Sequence, residues 1–258
     1  MKRLTSLLAV MVLLSGAVAA QSAEFYVHQG TGKNSFPGTK EQPLKNIQKA
    51  IDTAADGDTI YVAAGNYCGI MDKGQIKLNK QLTLLGGYSP DFSARDILTH
   101  RTTIIPPNKI DTIRSGSLFV IEQGKNKTGK TLIDGFIFDQ GETNNYHATE
   151  GKPEGVETGM LLMPPARAAD SAAPTAAMPI IGGGGGPNAG ASGDFTISNC
   201  VFNNACNFGI QLPLGKGTFN VRNNVFVANR MAGIEMWGTL AEGHAAKANI
   251  INNTVLFT

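Results

Sequence analysis

Short apolar segments recur with similar sequence along the second half of the chain. Residues 197–202 return as residues 221–226, 24 positions later, and again as residues 251–256, after a further 30 positions. Residues 133–138 fit the same template, and residues 85–87 stand 48 positions before them. Short strands that recur at a period in the low twenties predict a repeat protein, in which each unit stacks on its neighbours.

A second recurring segment begins with glycine and continues with apolar residues. It occurs at 159–162, 209–212 and 233–236. Because successive side chains of a strand point to opposite faces, the alternation in the last copy predicts that Ile234 and Met236 point inward. Each repeat therefore contains more than one strand.

Asparagine occupies the turn of three repeats, as Asn199, Asn223 and Asn252. Stacked amide side chains can satisfy one another and the backbone of a turn. The sequence therefore predicts a ladder of these asparagines inside the repeat.

Residues 25–67 predict a mixed module ahead of the repeats. Residues 25–27 and 58–62 are typical of strands, and residues 64–67 of a turn. From Ile47, apolar residues follow at i+3, i+4 and i+7, with a proline near the start and a glycine just beyond the end. That spacing predicts a helix between the two strands.

Six short stretches of this module match a known pattern: 25–27, 37–39, 43–44, 47–51, 57–62 and 65–67. They resemble the start of secreted right-handed β-helix proteins of the pectate-lyase-like superfamily, which includes several polysaccharide lyase families and an uncharacterised group. The resemblance implies an all-β solenoid, a right-handed parallel β-helix with three short strands per coil and an N-terminal capping helix. Such a helix covers a terminal repeat that would otherwise expose its core and an unpaired strand edge.

The resemblance also assigns the strands and the domain limits. The glycine-led strand is the first of each coil, the strand before the asparagine turn is the second, and the Val-Phe strand is the third. The cap covers about 25–67 and the coils about 76–258, with a flexible inserted loop at about 164–194, where alanine, glycine and proline predominate. Because the sequence stops at Thr258 within a strand-like segment, we expect a C-terminally truncated fragment.

The first twenty residues predict a signal peptide. Lys2 and Arg3 precede a short apolar stretch at 7–14, and the small residues at 16–20 offer a cleavage site. The apolar stretch is too short to span a bilayer. We therefore expect a secreted or periplasmic protein without a transmembrane segment.

The charge of the chain adds little electrostatic attraction for an anionic partner. Only 16% of the residues are charged and the net charge is +2, which argues against nucleic acid as a partner. Residues 124–131 match the phosphate-binding pattern GxxxxGK[ST], but residues 132–138 belong to the strand repeat, whereas a working phosphate loop precedes a helix. The prediction is a basic surface turn that binds no nucleotide.

Three cysteines, Cys68, Cys200 and Cys206, allow two interpretations. All three can be small core residues. Alternatively, Cys200 and Cys206 pair in an oxidising compartment and leave Cys68 over.

The candidate binding residues for polysaccharide lie around the glycine-led strand near the end of the chain. Glu235 and Trp237 are predicted to face outward, where an aromatic ring can stack on a sugar, and Gln211 is the equivalent of Glu235 one coil earlier. Lys216 and Arg230 are the candidate cations, from a set near these coils that also contains Arg222, His244 and Lys247. The competing interpretation is a solvated face with one exposed aromatic residue.

The sequence predicts no catalytic residues. Elimination from a polyuronate requires a base and neutralisation of the uronate carboxylate by Ca²⁺ or by cationic side chains. The sequence shows no cluster of aspartates on adjacent coils, so Ca²⁺ is expected only if the protein is a lyase. The predicted function is an exported β-helix that acts on or binds polysaccharide, as a polyuronate lyase if it is catalytic. The alternative is a non-catalytic surface, adhesive or carbohydrate-binding module.

Overall fold

The computed structural model describes residues 22–70, 74–106, 118–121, 128–141, 180–182, 191–205, 208–229, 232–238 and 246–256. The side chains at 180–182, 191–192, 213–215 and 237–238 lie outside that description. Within it the chain forms eighteen strands and one short helix, and no helix is long and apolar enough to cross a membrane. In chain order the elements are β1 (Glu24–Val27), α1 (Ile47–Thr53), β2 (Thr59–Ala63), β3 (Gly65–Tyr67), β4 (Ile76–Leu78), β5 (Thr83–Tyr88), β6 (Thr102–Ile104), β7 (Phe119–Ile121), β8 (Lys130–Asp134), β9 (Phe136–Asp139), β10 (Ile180–Gly182), β11 (Ala191–Ser192), β12 (Asp194–Ser198), β13 (Val201–Asn203), β14 (Phe208–Arg222), β15 (Val225–Val227), β16 (Ala232–Gly238), β17 (Ala246–Ile251) and β18 (Thr254–Leu256).

Parallel pairing joins these strands into three sheets, here named A, B and C. Sheet A contains β1, β2, β5, β8, β12, the second half of β14 and β17. Sheet B contains β3, β6, β9, β13, β15 and β18. Sheet C contains β4, β7, β10, β11, the first half of β14 and β16. From β2 onward the chain visits the sheets in the order A, B, C and returns to A.

The repeats predicted from the sequence lie in register in sheet A. Ile133 pairs with Ile197, which in turn pairs with Val221. The partner of Val221 in the last repeat is Ile250, so the spacing there is 29 positions, one fewer than predicted. At the other end Ile133 pairs with Leu84 in place of the predicted Leu85, so the spacing there is one position more than predicted.

The glycine-led strands also lie in register, in sheet C, where Ile210 pairs with Ile234. The predicted copy at 159–162 lies outside the described residues, and β10 occupies the place between β7 and β14 in this sheet. The expected loop at 164–194 therefore includes strands β10 and β11. Ile180 and Ile181 are β-branched, which favours an extended backbone.

Aromatic side chains stack on one another along the inward faces of the sheets. The rings of Phe138 and Phe202 lie 5.1 Å apart between centroids, and those of Phe202 and Phe226 lie 4.9 Å apart. Phe195 and Phe219 form a similar stack at 5.4 Å. All five belong to one contiguous buried cluster to which each of the three sheets contributes. Stacking follows from the parallel register, because equivalent inward residues of neighbouring strands lie side by side.

The asparagine ladder exists, but its interior part is one residue further along than predicted. Asn199, Asn223 and Asn252 have φ of 54°, 55° and 52°, in the left-handed region that asparagine tolerates. Asn223 and Asn252 are exposed, and the amide of Asn252 donates to that of Asn223 at 2.9 Å on the outside. Inside, the amide of Asn224 donates to Asn253 Oδ1 at 3.0 Å and to a backbone carbonyl of β12. The left-handed residue turns the chain so that the residue after it points inward.

Helix α1 forms where predicted and completes the edge of sheet C. The buried amide of Gln48 accepts from Lys77 N at 2.7 Å and donates to Lys77 O at 3.1 Å, so it replaces a neighbouring strand. The Nζ of Lys80 donates to three carbonyls at the end of α1, at 2.5–2.9 Å. The segment predicted as a turn at 64–67 is instead strand β3, which pairs with β6.

Candidate functional site

The loop at 89–101, between β5 and β6, crosses the corner where sheet A gives way to sheet B. Phe92 is buried, and its ring lies 5.0 Å from that of Tyr26 and 6.4 Å from that of Tyr88, both on the outer face of sheet A. Asp91 accepts hydrogen bonds from two serine hydroxyls of the loop, which hold the pKa of its carboxyl below the usual range. The loop is therefore an ordered part of the surface.

Arg95 fixes this loop to the corner. Its guanidinium forms an ion pair with Asp134 at the end of β8, and its Nε donates to Gly86 O at 2.8 Å. The guanidinium also lies 5.8 Å from the ring centroid of Tyr88. Since the side chains of Arg95 and Asp134 are 31% and 9% exposed, water screens this pair less than it screens a surface pair.

The carboxylate of Asp134 is held by partners from two repeats. Besides Arg95, Ser198 Oγ donates to its Oδ2 at 2.6 Å and Asn199 Nδ2 at 2.7 Å. The following residue, Gly135, has φ +79°, and a Cβ at that position would lie 2.6 Å from Arg95 Nη2. Asp134 therefore stabilises the corner and leaves little capacity for a ligand.

A groove of about 430 Å³ lies between the loop and the outer face of sheet B. The loop supplies one wall, and the outward residues of β6, β9 and β13 supply the floor. The groove is lined by Ile97, Leu98, Arg101, Thr103, Gly135, Phe136, Ile137, Asp139, Asn199, Val201 and Asn203.

The floor of the groove consists of two rows that the parallel register sets side by side. Thr103, Ile137 and Val201 form one row across β6, β9 and β13. Asp139 and Asn203 form the other across β9 and β13. A β-branched strip, apolar at Ile137 and Val201, therefore runs beside a polar strip.

Arg101 and Leu98 form the mouth of the groove. Leu98 is 78% exposed, and its carbonyl accepts a hydrogen bond from Arg101 Nε at 3.3 Å. Arg101 is exposed and forms no ion pair within the part of the chain that the structure describes. Its terminal nitrogens are therefore available to a ligand.

Asp139 places a carboxylate in the groove, and one of its two oxygens accepts hydrogen bonds from the protein. Its Oδ1 accepts from Gly141 N at 2.7 Å and from Asn204 Nδ2 at 3.0 Å. Among the described residues, neither its Oδ2 nor the side-chain amide of Asn203 forms a hydrogen bond. The polar strip therefore offers a preoriented acceptor beside an amide that can both donate and accept.

These groups suit a polyhydroxylated chain. Guanidinium and amide donors, together with carboxylate and amide oxygens, can bind hydroxyl groups, and the β-branched strip can contact the apolar face of a sugar. Binding sites commonly combine such apolar surface with a few placed polar groups.

Four of the five residues predicted from the sequence to bind substrate lie on sheet C, and none of these four lines the groove. Gln211 and Glu235 pair in register as predicted, and the amide of Gln211 donates to Glu235 Oε2. Gln211 is 0% exposed, so of the two only the partly exposed Glu235 is accessible. Lys216 is exposed and follows on the same strand as Gln211, and Trp237 lies in β16 with its side chain outside the description. Arg230 lies outside the described residues, and a binding role for these five residues stays a prediction.

A cluster of aromatic rings on the outer face of sheet A is engaged within the protein. Tyr26 and Tyr61 stack at 5.0 Å, and Tyr88 contacts Tyr61 at 5.3 Å. The hydroxyls of Tyr26 and Tyr61 both donate to the carboxylate of Glu24 at 2.9 Å. Burial is the main cause that raises the pKa of Tyr61 to about 12, and the hydrogen bond to Glu24 is the next largest. With Phe92 the cluster packs β1 against β2 and holds the loop on the outer face of sheet A.

The cysteine prediction is tested in part. Cys200 is a buried free thiol that donates to Ser198 O at 3.1 Å, and Cys68 is partly buried, with its thiol 3.4 Å from Gly69 O. Cys206 lies outside the described residues. Cys200 is therefore a core residue, as the first of the two interpretations has it.

The phosphate-loop pattern at 124–131 runs into a strand. Residues 122–127 lie outside the description, whereas Lys130 begins β8 and Thr131 is buried. No group of three or more His, Cys, Asp or Glu that could hold a metal ion occurs among the residues that the structure describes. The absence of a nucleotide and the conditional role of Ca²⁺ both stay predictions.

The repeat pattern of the sequence could have predicted the polar strip of the groove, but not its arginine. Asp139 and Asn203 each follow the phenylalanine of an equivalent strand, Phe138 and Phe202, so the repeat alignment places them side by side. Arg101 lies in a loop with no counterpart in other repeats, and nothing in the sequence marks it.

Comparison with known proteins finds a match to a protein family. Residues 30–149 match the model of a family described as a protein of unknown function, DUF1565, which is known for β-helix-like proteins. The match covers the cap from residue 30 onward, the loop at 89–101 and strand β9, a little under half of the chain. No curated protein and no solved structure matches the chain significantly.

Proposed function

We propose that this protein is an exported right-handed parallel β-helix that binds polysaccharide in the groove between the loop at 89–101 and sheet B. The groove carries the proposal, because Arg101, Asp139 and Asn203 offer hydrogen-bonding groups beside an apolar strip. These are the two kinds of contact that a sugar chain requires.

The order in which the chain visits its sheets supports a β-helix. Successive passages through sheets A, B and C add strands to every sheet, and all the named strands pair in parallel, as the winding of a solenoid requires. Stacked inward phenylalanines and the Asn224–Asn253 ladder support the same arrangement. The resemblance of the N-terminal module supplies the right-handed sense.

The shape of the site supports a polymer as ligand. The floor runs across three parallel strands, about 10 Å from β6 to β13 at the usual strand spacing. It then continues onto β15, where Val225 and Val227 lie in register with Val201 and Asn203. A ligand can therefore extend along the sheet beyond the walled part.

Binding is better supported than cleavage. The groove contains one carboxylate, Asp139, and one guanidinium, Arg101, and the structure gives neither of them a base or acid partner within the described residues. Elimination and hydrolysis each need at least a second group that transfers a proton. Polyuronate lyase activity remains an expectation from the resemblance.

Export rests on the predicted signal peptide. Expression of the full sequence in a bacterial host, followed by N-terminal sequencing of the periplasmic product, should give a chain that begins at Gln21. Retention of Met1 in a cytoplasmic product would contradict this part of the proposal.

Binding is tested by affinity electrophoresis of the exported protein in gels that contain one soluble polysaccharide each. At least one polymer should retard the protein, and Asn203→Ala should weaken that binding at least tenfold. The matched control is Asn66→Ala, which removes an exposed outward asparagine of β3 in the same sheet but outside the groove.

Three outcomes are informative. Retardation that depends on Asn203 and not on Asn66 supports the groove as the site. Retardation that both variants retain would move the site elsewhere on the molecule. Absence of retardation by every polymer, for protein with a cooperative unfolding transition, would refute polysaccharide binding.

A further inference from the structure

The charges that line the groove cancel. Arg101 is the only cation and Asp139 the only anion among its described lining residues. Arg95, the other arginine of the loop, is paired with Asp134 and adds no net charge to the wall. The chain as a whole carries only +2, so no wider positive field compensates.

An anionic polymer would find this balance unfavourable. A polyuronate or a sulfated glycan brings a negative charge on most of its sugar units, and several units would lie along the floor. One guanidinium can neutralise one of these charges, whereas the carboxylate of Asp139 would repel the others. In a partly desolvated groove an unpaired charge costs more than in water.

An uncharged polysaccharide would form favourable hydrogen bonds with the same groups. A carboxylate accepts stronger hydrogen bonds from hydroxyls than a neutral oxygen does. Asp139 is already oriented by Gly141 N and Asn204 Nδ2 through its Oδ1, so little conformational freedom is lost when its Oδ2 accepts a hydroxyl. Arg101 and Asn203 then donate to the oxygens of neighbouring sugar units.

We infer that the groove selects an uncharged polysaccharide over polyuronates and sulfated glycans, with Asp139 as the residue that sets this preference. The inference rests on the proposed function and adds to it the class of ligand.

The decisive variant is Asp139→Asn, which keeps the shape of the side chain and removes its charge. For an uncharged ligand the variant should bind at least fivefold more weakly, because a charged acceptor becomes a neutral one. For an anionic ligand it should bind more tightly, because the repulsion disappears. The matched control is Glu41→Gln, which removes an exposed carboxylate of the cap, outside the groove.

The probes are dextran, glucomannan and arabinoxylan as uncharged polymers, and pectate, alginate and chondroitin sulfate as anionic ones. Affinity electrophoresis at low and high sodium chloride should show that the protein binds an uncharged polymer and that its affinity does not change with salt. Asp139→Asn should weaken this binding, and Glu41→Gln should leave it unchanged. Charge-driven binding would instead weaken as salt screens it.

The failures of the two proposals are distinguishable. Binding of an anionic polymer that salt weakens and Asp139→Asn strengthens would overturn the inference and leave polysaccharide binding intact. Binding of no polymer in either class would overturn both.

Discussion

At the scale of single residues, the corner between sheets A and B depends on pairs of consecutive residues, of which the first turns the backbone and the second forms hydrogen bonds inside. Asn223 takes the left-handed conformation on the outside, and Asn224 points inward. The amide of Asn224 satisfies Cys200 N, Ile197 O and Asn253 Oδ1, each at 3.0 Å. Because Ile197, Cys200 and Asn224 are buried, the side chain of Asn224 supplies the hydrogen bonds that water would supply at the surface.

Replacement of Asn224 by alanine should lower the free energy of unfolding by about 3 kcal/mol, because it leaves several buried backbone groups without partners. Replacement of its neighbour Asn223 by glycine keeps the left-handed conformation and should cost less than about 1 kcal/mol. Urea unfolding of the two variants measures both values. Equal losses would contradict the assignment of the interior ladder to Asn224.

The thiol of Cys200 makes the stability depend on pH. Complete burial raises the pKa of Cys200 to about 12, so the folded protein keeps the proton over a range where the unfolded chain has lost it. The contribution of Cys200 to the free energy of unfolding should therefore be constant below the ordinary pKa of a cysteine. It should fall as the pH rises through the range above that value, toward about 12.

Comparison with Cys200→Ala isolates this contribution from that of the tyrosines, which both proteins share. The wild type should lose more unfolding free energy than the variant between neutral pH and about pH 10. In the native state at neutral pH, a thiol reagent should modify Cys200 much more slowly than it does in the unfolded protein. Parallel pH profiles, or equal reactivity of Cys200 in the two states, would contradict its burial.

At the scale of elements, the loop at 89–101 determines whether the groove has a wall. Its ends belong to β5 and β6, but its position is set by Arg95, which reaches Asp134 in the next repeat. Arg101, on the same loop, forms no such ion pair with any residue that the structure describes, and it lines the groove. The loop thus contains a residue that fixes its position and, six positions later, the proposed binding residue.

These two arginines should separate stability from binding. Arg95→Ala leaves the nearly buried carboxylate of Asp134 without its cation and should cost about 3 kcal/mol of unfolding free energy, with weaker polysaccharide binding as the wall loosens. Arg101→Ala should weaken binding while it changes stability by less than about 0.5 kcal/mol. Urea unfolding and affinity electrophoresis, applied to both variants, measure the four quantities. A stable Arg95→Ala protein with normal binding would contradict the latch.

Some elements were predictable from the sequence because their signals are local. The helical spacing from Ile47 gave α1, and the repeated Val-Phe strands gave β13 and β15. The ladder was misplaced by one residue because the sequence does not show which of two consecutive asparagines takes the left-handed conformation. Strand β3 was predicted as a turn because it is only three residues long and begins with glycine.

At the scale of the whole molecule, parallel register determines which residues become neighbours. Asp139 and Asn203 are 64 positions apart, yet they lie side by side because β9 and β13 are adjacent in sheet B. The segment between them returns the chain to the same sheet after a longer interval than the other repeats. A constant period could not predict this pair, whereas an alignment of the strand sequences could.

The stacked phenylalanines offer a test of the solenoid. In a solenoid each repeat contacts mainly its neighbours, so damage to one repeat should spread locally. Phe202→Ala removes the middle ring of the Phe138–Phe202–Phe226 stack and should cost about 3–5 kcal/mol.

Hydrogen exchange measured by mass spectrometry should then show the largest loss of protection in β9, β13 and β15, with β1 and β2 the least affected. Phe36→Ala, a change at a partly exposed ring of the cap, is the control for a perturbation outside the stack. A uniform loss of protection across all strands in Phe202→Ala would contradict a solenoid with local coupling.

The groove is tested most directly by a crystal structure of the protein with an oligosaccharide of the polymer that retards it most strongly. We predict electron density for the sugar along the outer face of sheet B, with hydroxyl groups bound to Asp139 and Asn203 and with Arg101 at the mouth. Density instead beside Glu235 and Trp237 on sheet C would restore the site predicted from the sequence and contradict the groove.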